Sequence, residues 1–185
     1  MNPANTFPPP FVRSFGLCAA LLLGLVLSGC ATSEYKYTTK ISSGERLSFR
    51  LVNGRVDDAV ADGFEARAPV ILPGEKEKKL QFAFGVVAKN KPPRRVQVED
   101  VSEEQPMLLV DDTDPQLKGQ LWTGQSAWFD LEDPQAHWIS YLGETFRVYR
   151  ITITTADGAT VVLHEGSVTP AFMKAMMRKF FGKEY

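Results

Sequence analysis

From Tyr35 onward the chain alternates. In Tyr35-Lys36-Tyr37-Thr38-Thr39-Lys40-Ile41 the aromatic and β-branched residues hold the odd positions and the lysines the even ones, the period of a strand that buries one face. Leu47, Phe49 and Leu51 alternate with Arg46, Ser48 and Arg50 in the same sense, and Leu80, Phe82, Phe84 and Val86 form the strongest run, with Gln81, Ala83 and Gly85 between them. Val96 and Val98 follow after the Asn90-Lys91-Pro92-Pro93 break, and the two runs are expected to be neighbouring strands of the core.

Punctuation between the runs supports a sheet protein. Phe146 to Thr155 is rich in β-branched residues, and Ala156-Asp157-Gly158-Ala159 separates it from Thr160-Val161-Val162-Leu163. Asp-Gly between two such runs predicts a hairpin, because tight primed turns need positive φ angles. Asn53-Gly54 marks a second turn, while Arg55 to Gly63 is polar and poorly patterned. Seven to nine short strands separated by Gly and Pro predict a mainly β fold over residues 35–168, an antiparallel β-sandwich of the immunoglobulin-like kind. The cysteine pair with an intervening tryptophan that marks a true immunoglobulin domain is absent. Neither an internal repeat nor a second domain is evident.

One helix is expected, over residues 169–182. Thr169-Pro170 supplies an N-cap and a first-turn proline, and Gly182 a stop. Phe172, Met173, Met176, Met177, Phe180 and Phe181 recur at three- and four-residue spacing, with Lys174, Arg178 and Lys179 on the other face. Such a basic amphipathic helix packs its stripe on the domain or offers it to a partner or an anionic membrane.

The first 29 residues follow a different logic. Phe15 to Leu27 is uncharged and leucine-rich, yet shorter than the roughly 20 residues that span a bilayer. It is preceded by a segment with Arg13 as its basic residue and closes on Leu27-Ser28-Gly29-Cys30. This arrangement resembles the signal peptide and lipobox of bacterial lipoproteins. The resemblance implies cleavage between Gly29 and Cys30, a thioether-linked diacylglyceryl group on Cys30 and N-acylation of the new terminus. Since Ala31 is not the aspartate associated with inner-membrane retention, it also implies the outer membrane, facing the periplasm. Residues 30–34 then form a short tether, and Ala31 to Glu34 reach only about 14 Å at roughly 3.5 Å per residue.

The chain has two cysteines, Cys18 within the leader and Cys30 at the lipid site. A mature domain therefore has no disulfide and rests on core burial. Loss of Arg13 with the leader leaves 20 basic against 22 acidic residues, a balance that argues against a nucleic-acid partner.

Little in the domain suggests catalysis or a cofactor. The two histidines, His137 and His164, share no metal-ligand spacing, and no nucleophile elbow, phosphate loop or dinucleotide motif occurs. Asp111-Asp112-Thr113-Asp114-Pro115 and Asp130-Leu131-Glu132-Asp133-Pro134 cluster carboxylates without the spacing of a calcium loop, so no metal is expected. Trp122, Trp128, Trp138 and Tyr141 lie among Gln125, Asp130, Asp133 and His137, the mixture of flat and hydrogen-bonding groups that a glycan surface uses; otherwise these aromatics fill the core. The expected protein is non-enzymatic and lipid-anchored in the envelope, its sandwich serving as an interaction or assembly module for an envelope protein. The alternative is a periplasmic ligand-binding domain for peptidoglycan or another glycan.

Replacing Cys30 with Ala is predicted to abolish metabolic labelling by a fatty-acid analogue. Labelling that survives the substitution removes the lipid attachment.

Overall fold

The computed structural model describes residues 34–73, 79–130 and 146–168. The lipobox, the tether before Glu34, His137, Trp138, Tyr141 and the helix expected over 169–182 lie outside them. Strands run in the order β1 (Glu34–Lys40), β2 (Arg46–Val52), β3 (Arg55–Val56), β4 (Val60–Ala61), β5 (Phe64–Pro73), β6 (Lys79–Ala88) and β7 (Pro93–Asp100). They continue as β8 (Met107–Asp112), β9 (Leu117–Lys118), β10 (Leu121–Gln125), β11 (Phe129–Asp130), β12 (Phe146–Thr155) and β13 (Thr160–Val168). Nine of them have five residues or more.

These strands make three antiparallel sheets among the described residues. The first is β1-β2-β3, the second β4-β5-β6-β10-β9 with β11 also on β6, and the third β13-β12-β7-β8. The expected adjacency of the Leu80–Val86 and Val96–Val98 runs is not found. β6 pairs with β5, β10 and β11, whereas β7 pairs with β12 and β8. The chain changes sheets between Ala88 and Pro93, where Pro92 and Pro93 lack the amide hydrogens that would continue a ladder.

Turn chemistry explains the hairpins. Asn53 and Gly54 both take positive φ, 50° and 75°, as a two-residue primed turn between β2 and β3 requires. Asp62 and Gly63 do the same, at 46° and 83°, and join β4 to β5 within the stretch whose patterning looked poorest. At Asp157-Gly158 the expected hairpin forms by another route. Only Gly158 has positive φ, and Thr155 N donates to Ala159 O at 2.9 Å, so the loop has three residues with glycine at its left-handed position.

The main core draws on the second and third sheets. From β6 come Leu80, Phe82, Phe84, Val86 and Ala88, all buried, and from the third sheet Val96, Val98, Val110, Tyr149, Ile151, Ile153, Val161 and Leu163. Phe84 and Tyr149 meet edge to face at 5.2 Å between ring centroids. A smaller core lies under the first sheet, where Ile41, Phe49 and Leu51 pack with Val101, Phe146 and Val148. Phe146 touches the rings of Tyr37 and Phe49, with centroids at 4.6 and 5.1 Å.

Gly166 makes that close packing possible. A β-carbon there would lie 2.6 Å from Phe146 Cζ and 3.1 Å from both Phe49 and Val56. Gly166→Ala is predicted to lower stability by about 1–3 kcal/mol, the usual cost of overpacking, read as a shift in the urea midpoint without a change in slope. An unchanged midpoint would show that the small core has room to yield.

Candidate functional site

Of the four aromatics singled out above, Trp122 and Trp128 lie among the described residues. Trp122 is fully buried, which places it with the core-filling aromatics and not on a ligand surface. Its indole lies over Gly124, where a β-carbon would collide with it, and Nε1 donates to Asp112 Oδ2 at 2.8 Å. Trp128 is half exposed. His164, across from Arg150 in the β12–β13 ladder, is half-buried, and burial is the main influence holding its pKa below the usual histidine value.

The first acidic turn is used structurally. Asp111 accepts two hydrogen bonds from Arg95, at 2.7 and 2.6 Å, and that pairing holds its carboxyl below the usual range. Asp112 takes the Trp122 indole on one oxygen and the Asp114 amide on the other, at 3.1 Å.

A polar row that the sequence reading did not single out closes one end of the main core. The register of the third sheet places Val161, Ile153, Val96 and Asp112 in one line, and Leu163, Ile151, Val98 and Val110 in the next. Glu165, Tyr149, Asp100 and Met107 make the third. Arg147, two residues before Tyr149, continues the same face and is 1% exposed. Its Nη1 donates to Glu103 Oε1 at 2.9 Å and lies 3.6 Å from Asp100 Oδ2. Asp100 in turn accepts the Ser102 amide at 2.9 Å, and Ser102 Oγ accepts the Val148 amide at 2.8 Å. A cavity of about 400 Å³ opens here, lined by Asp100, Glu103, Gln105, Pro106, Met107 and Arg147. Its lining offers a guanidinium, two carboxyl groups and a side-chain amide.

Glu165 stands at the other end of the row. It is fully buried, and its Oε2 accepts the Ala59 amide at 3.0 Å. Neither its Oε1 nor the Tyr149 hydroxyl has a hydrogen-bond partner among the described residues. Burial, helped by the nearby Asp58, pushes the carboxyl up to about 8 against the opposing Ala59 and Gly166 amides. The acid is thus mainly protonated at neutral pH. The signal for this row was phase: Asp100, Arg147 and Glu165 occupy the positions of their strands that point into the core.

The outward face of the second sheet offers a different kind of surface. Across it run Glu65, Val87 and Leu121, then Arg67, Gly85 and Thr123, then Val70, Ala83 and Gln125, with Leu72 beside Gln81. A solvated face of an antiparallel sheet is ordinarily polar, but here the central strand presents Ala83, Gly85 and Val87. Val70 is 57% and Leu121 37% exposed. Charges sit at one rim, where Glu65 meets Lys89 at 2.8 Å and Arg67 at 2.9 Å.

A carboxyl that is raised in the folded state is protonated there while the unfolded chain has lost its proton, so stability falls as pH rises from about 4.5 to about 8 and levels off above. Glu165→Gln is predicted to remove this component, which amounts to as much as about 1.4 kcal/mol per pH unit. Urea unfolding of both proteins across that range checks it; parallel stability curves would contradict a neutral Glu165.

Comparison with protein-family models, curated proteins and solved structures found no match to this chain.

Proposed function

We propose that this chain is a lipid-anchored, non-enzymatic protein of the bacterial cell envelope. Cys30 carries the lipid, and the domain works at the periplasmic side of the outer membrane as an interaction or assembly module. In this reading the second and third sheets form an antiparallel sandwich of the immunoglobulin-like kind around their shared core.

The outward face of the second sheet carries the functional part of the reading. An apolar strip of Val70, Leu72, Ala83, Val87 and Leu121, with charges at one rim, has the make-up of a protein-binding patch. In the same reading the Phe172–Phe181 stripe, outside the described residues, either packs on the domain or offers a second docking surface. The glycan alternative draws less support, because Trp122 is occupied in the core and Trp128 is its one remaining aromatic among the described residues.

A photocrosslinking amino acid placed at Val70 or Leu121 is predicted to give discrete adducts with an envelope protein in intact cells, while one at the exposed Thr113 gives none. Equal labelling from all three positions, or adducts from none, would count against the module. Retention of the protein on isolated sacculi with no crosslinked partner would favour the peptidoglycan reading instead.

A further inference from the structure

The exposed face of the first sheet repels itself. β1 and β2 pair so that Lys36 stands directly across from Arg50 and Lys40 directly across from Arg46, with Thr38 and Ser48 between them at 2.9 Å. Arg55, across from Val52 in the next pair, adds another exposed cation. Like charges set opposite each other in an antiparallel pair destabilise it, and here two such pairs occur in one seven-residue hairpin ladder.

Among the described residues, one of these cations is neutralised. Arg50 forms a two-pronged pair with Glu34, at 2.7 and 3.0 Å, and reaches Asp57 at 3.3 Å. Lys36, Lys40, Arg46 and Arg55 form no ion pair among the described residues. Glu45, in the turn between β1 and β2, is near enough to act on His164 of β13. The inward face of the same hairpin is spent on the small core through Phe49 and Leu51, and the basic residues of the other face stand exposed.

We propose that this face of β1 and β2 rests on anionic phospholipid headgroups. A polyanionic surface relieves the repulsion that the isolated hairpin must bear, and clustered basic residues bind such surfaces through charge alone. Position favours this occupant over a soluble anion: Glu34 opens β1 four residues after Cys30, and about 14 Å of extended chain keeps the hairpin at the lipid surface. That last step rests on the lipid anchor proposed above, whereas the charge arrangement stands without it.

The test uses the chain from residue 30 with Cys30→Ser, so that no acyl chain contributes. It is sedimented at low ionic strength with vesicles of phosphatidylcholine alone, and with an equimolar mixture of phosphatidylcholine and phosphatidylglycerol. Binding to the mixed vesicles, little to the neutral ones, and a loss of at least about tenfold in the Lys36→Glu/Lys40→Glu variant are expected. That variant turns both like-charged pairs into opposite-charged ones, so it folds at least as firmly as the parent, which thermal unfolding verifies. Equal binding by parent and variant, or none by the parent, overturns the proposal. Capture on sacculi that the same variant loses, without vesicle binding, assigns the face to a wall polymer and overturns it as well. Failure of the anchor itself shows separately, in the fatty-acid labelling of the full chain.

Discussion

β12 carries side chains into two cores at once. Tyr149, Ile151 and Ile153 enter the main core, while Phe146 and Val148 point the other way and close the small one. Each such side chain contributes on the order of 1.5–3 kcal/mol when fully buried. The strand's register is therefore doubly determined. A slip of one residue would exchange the two sets and drive Arg147 into the rings of Tyr37 and Phe49. The first sheet holds to the rest through this arrangement, and so the position of its basic face follows from where β12 sits.

The polar row at the end of the main core has a cost that the apolar rows do not. Arg147 and Asp100 are almost wholly withdrawn from water, and a buried ion pair seldom outweighs apolar residues of the same size. Its effect is positional. Arg147 reaches Glu103 in the loop before β8, Asp100 holds the Ser102 amide and Ser102 holds Val148. The chain leaving β7 is thereby fastened to the start of β12. Glu165 does the equivalent on the far side, fastening Ala59 between the first and second sheets.

Much of the fold was legible because period-two alternation reports one buried face directly. Leu80 to Val86 and Tyr35 to Ile41 read correctly for that reason. What such a pattern leaves open is which strand lies beside which, and the Leu80 and Val96 runs proved to belong to different sheets. The Asp62-Gly63 turn escaped for another cause: it is flanked by two-residue and bulged pairing, too little alternation to flag a hairpin. The ionisable row was readable in principle, since Arg147 keeps phase with Tyr149 and Glu165 with Leu163. Residue type obscured it, because charge at a strand end ordinarily signals solvent. For Trp122 composition could not decide between surface and core. Its place follows from Gly124, which leaves room for the indole, and from Asp112, which satisfies its nitrogen.

The small core also sets an order of events for the newly made chain. Phe49 and Leu51 lie in the first long hairpin, yet the residues that cover them, Phe146 and Val148, come nearly a hundred positions later. Contacts so far apart form slowly, because the intervening loop must be closed before they give any return. The N-terminal hairpin thus waits, its aromatic side uncovered, until almost the whole domain has emerged. The segment made first is among the last to find its place.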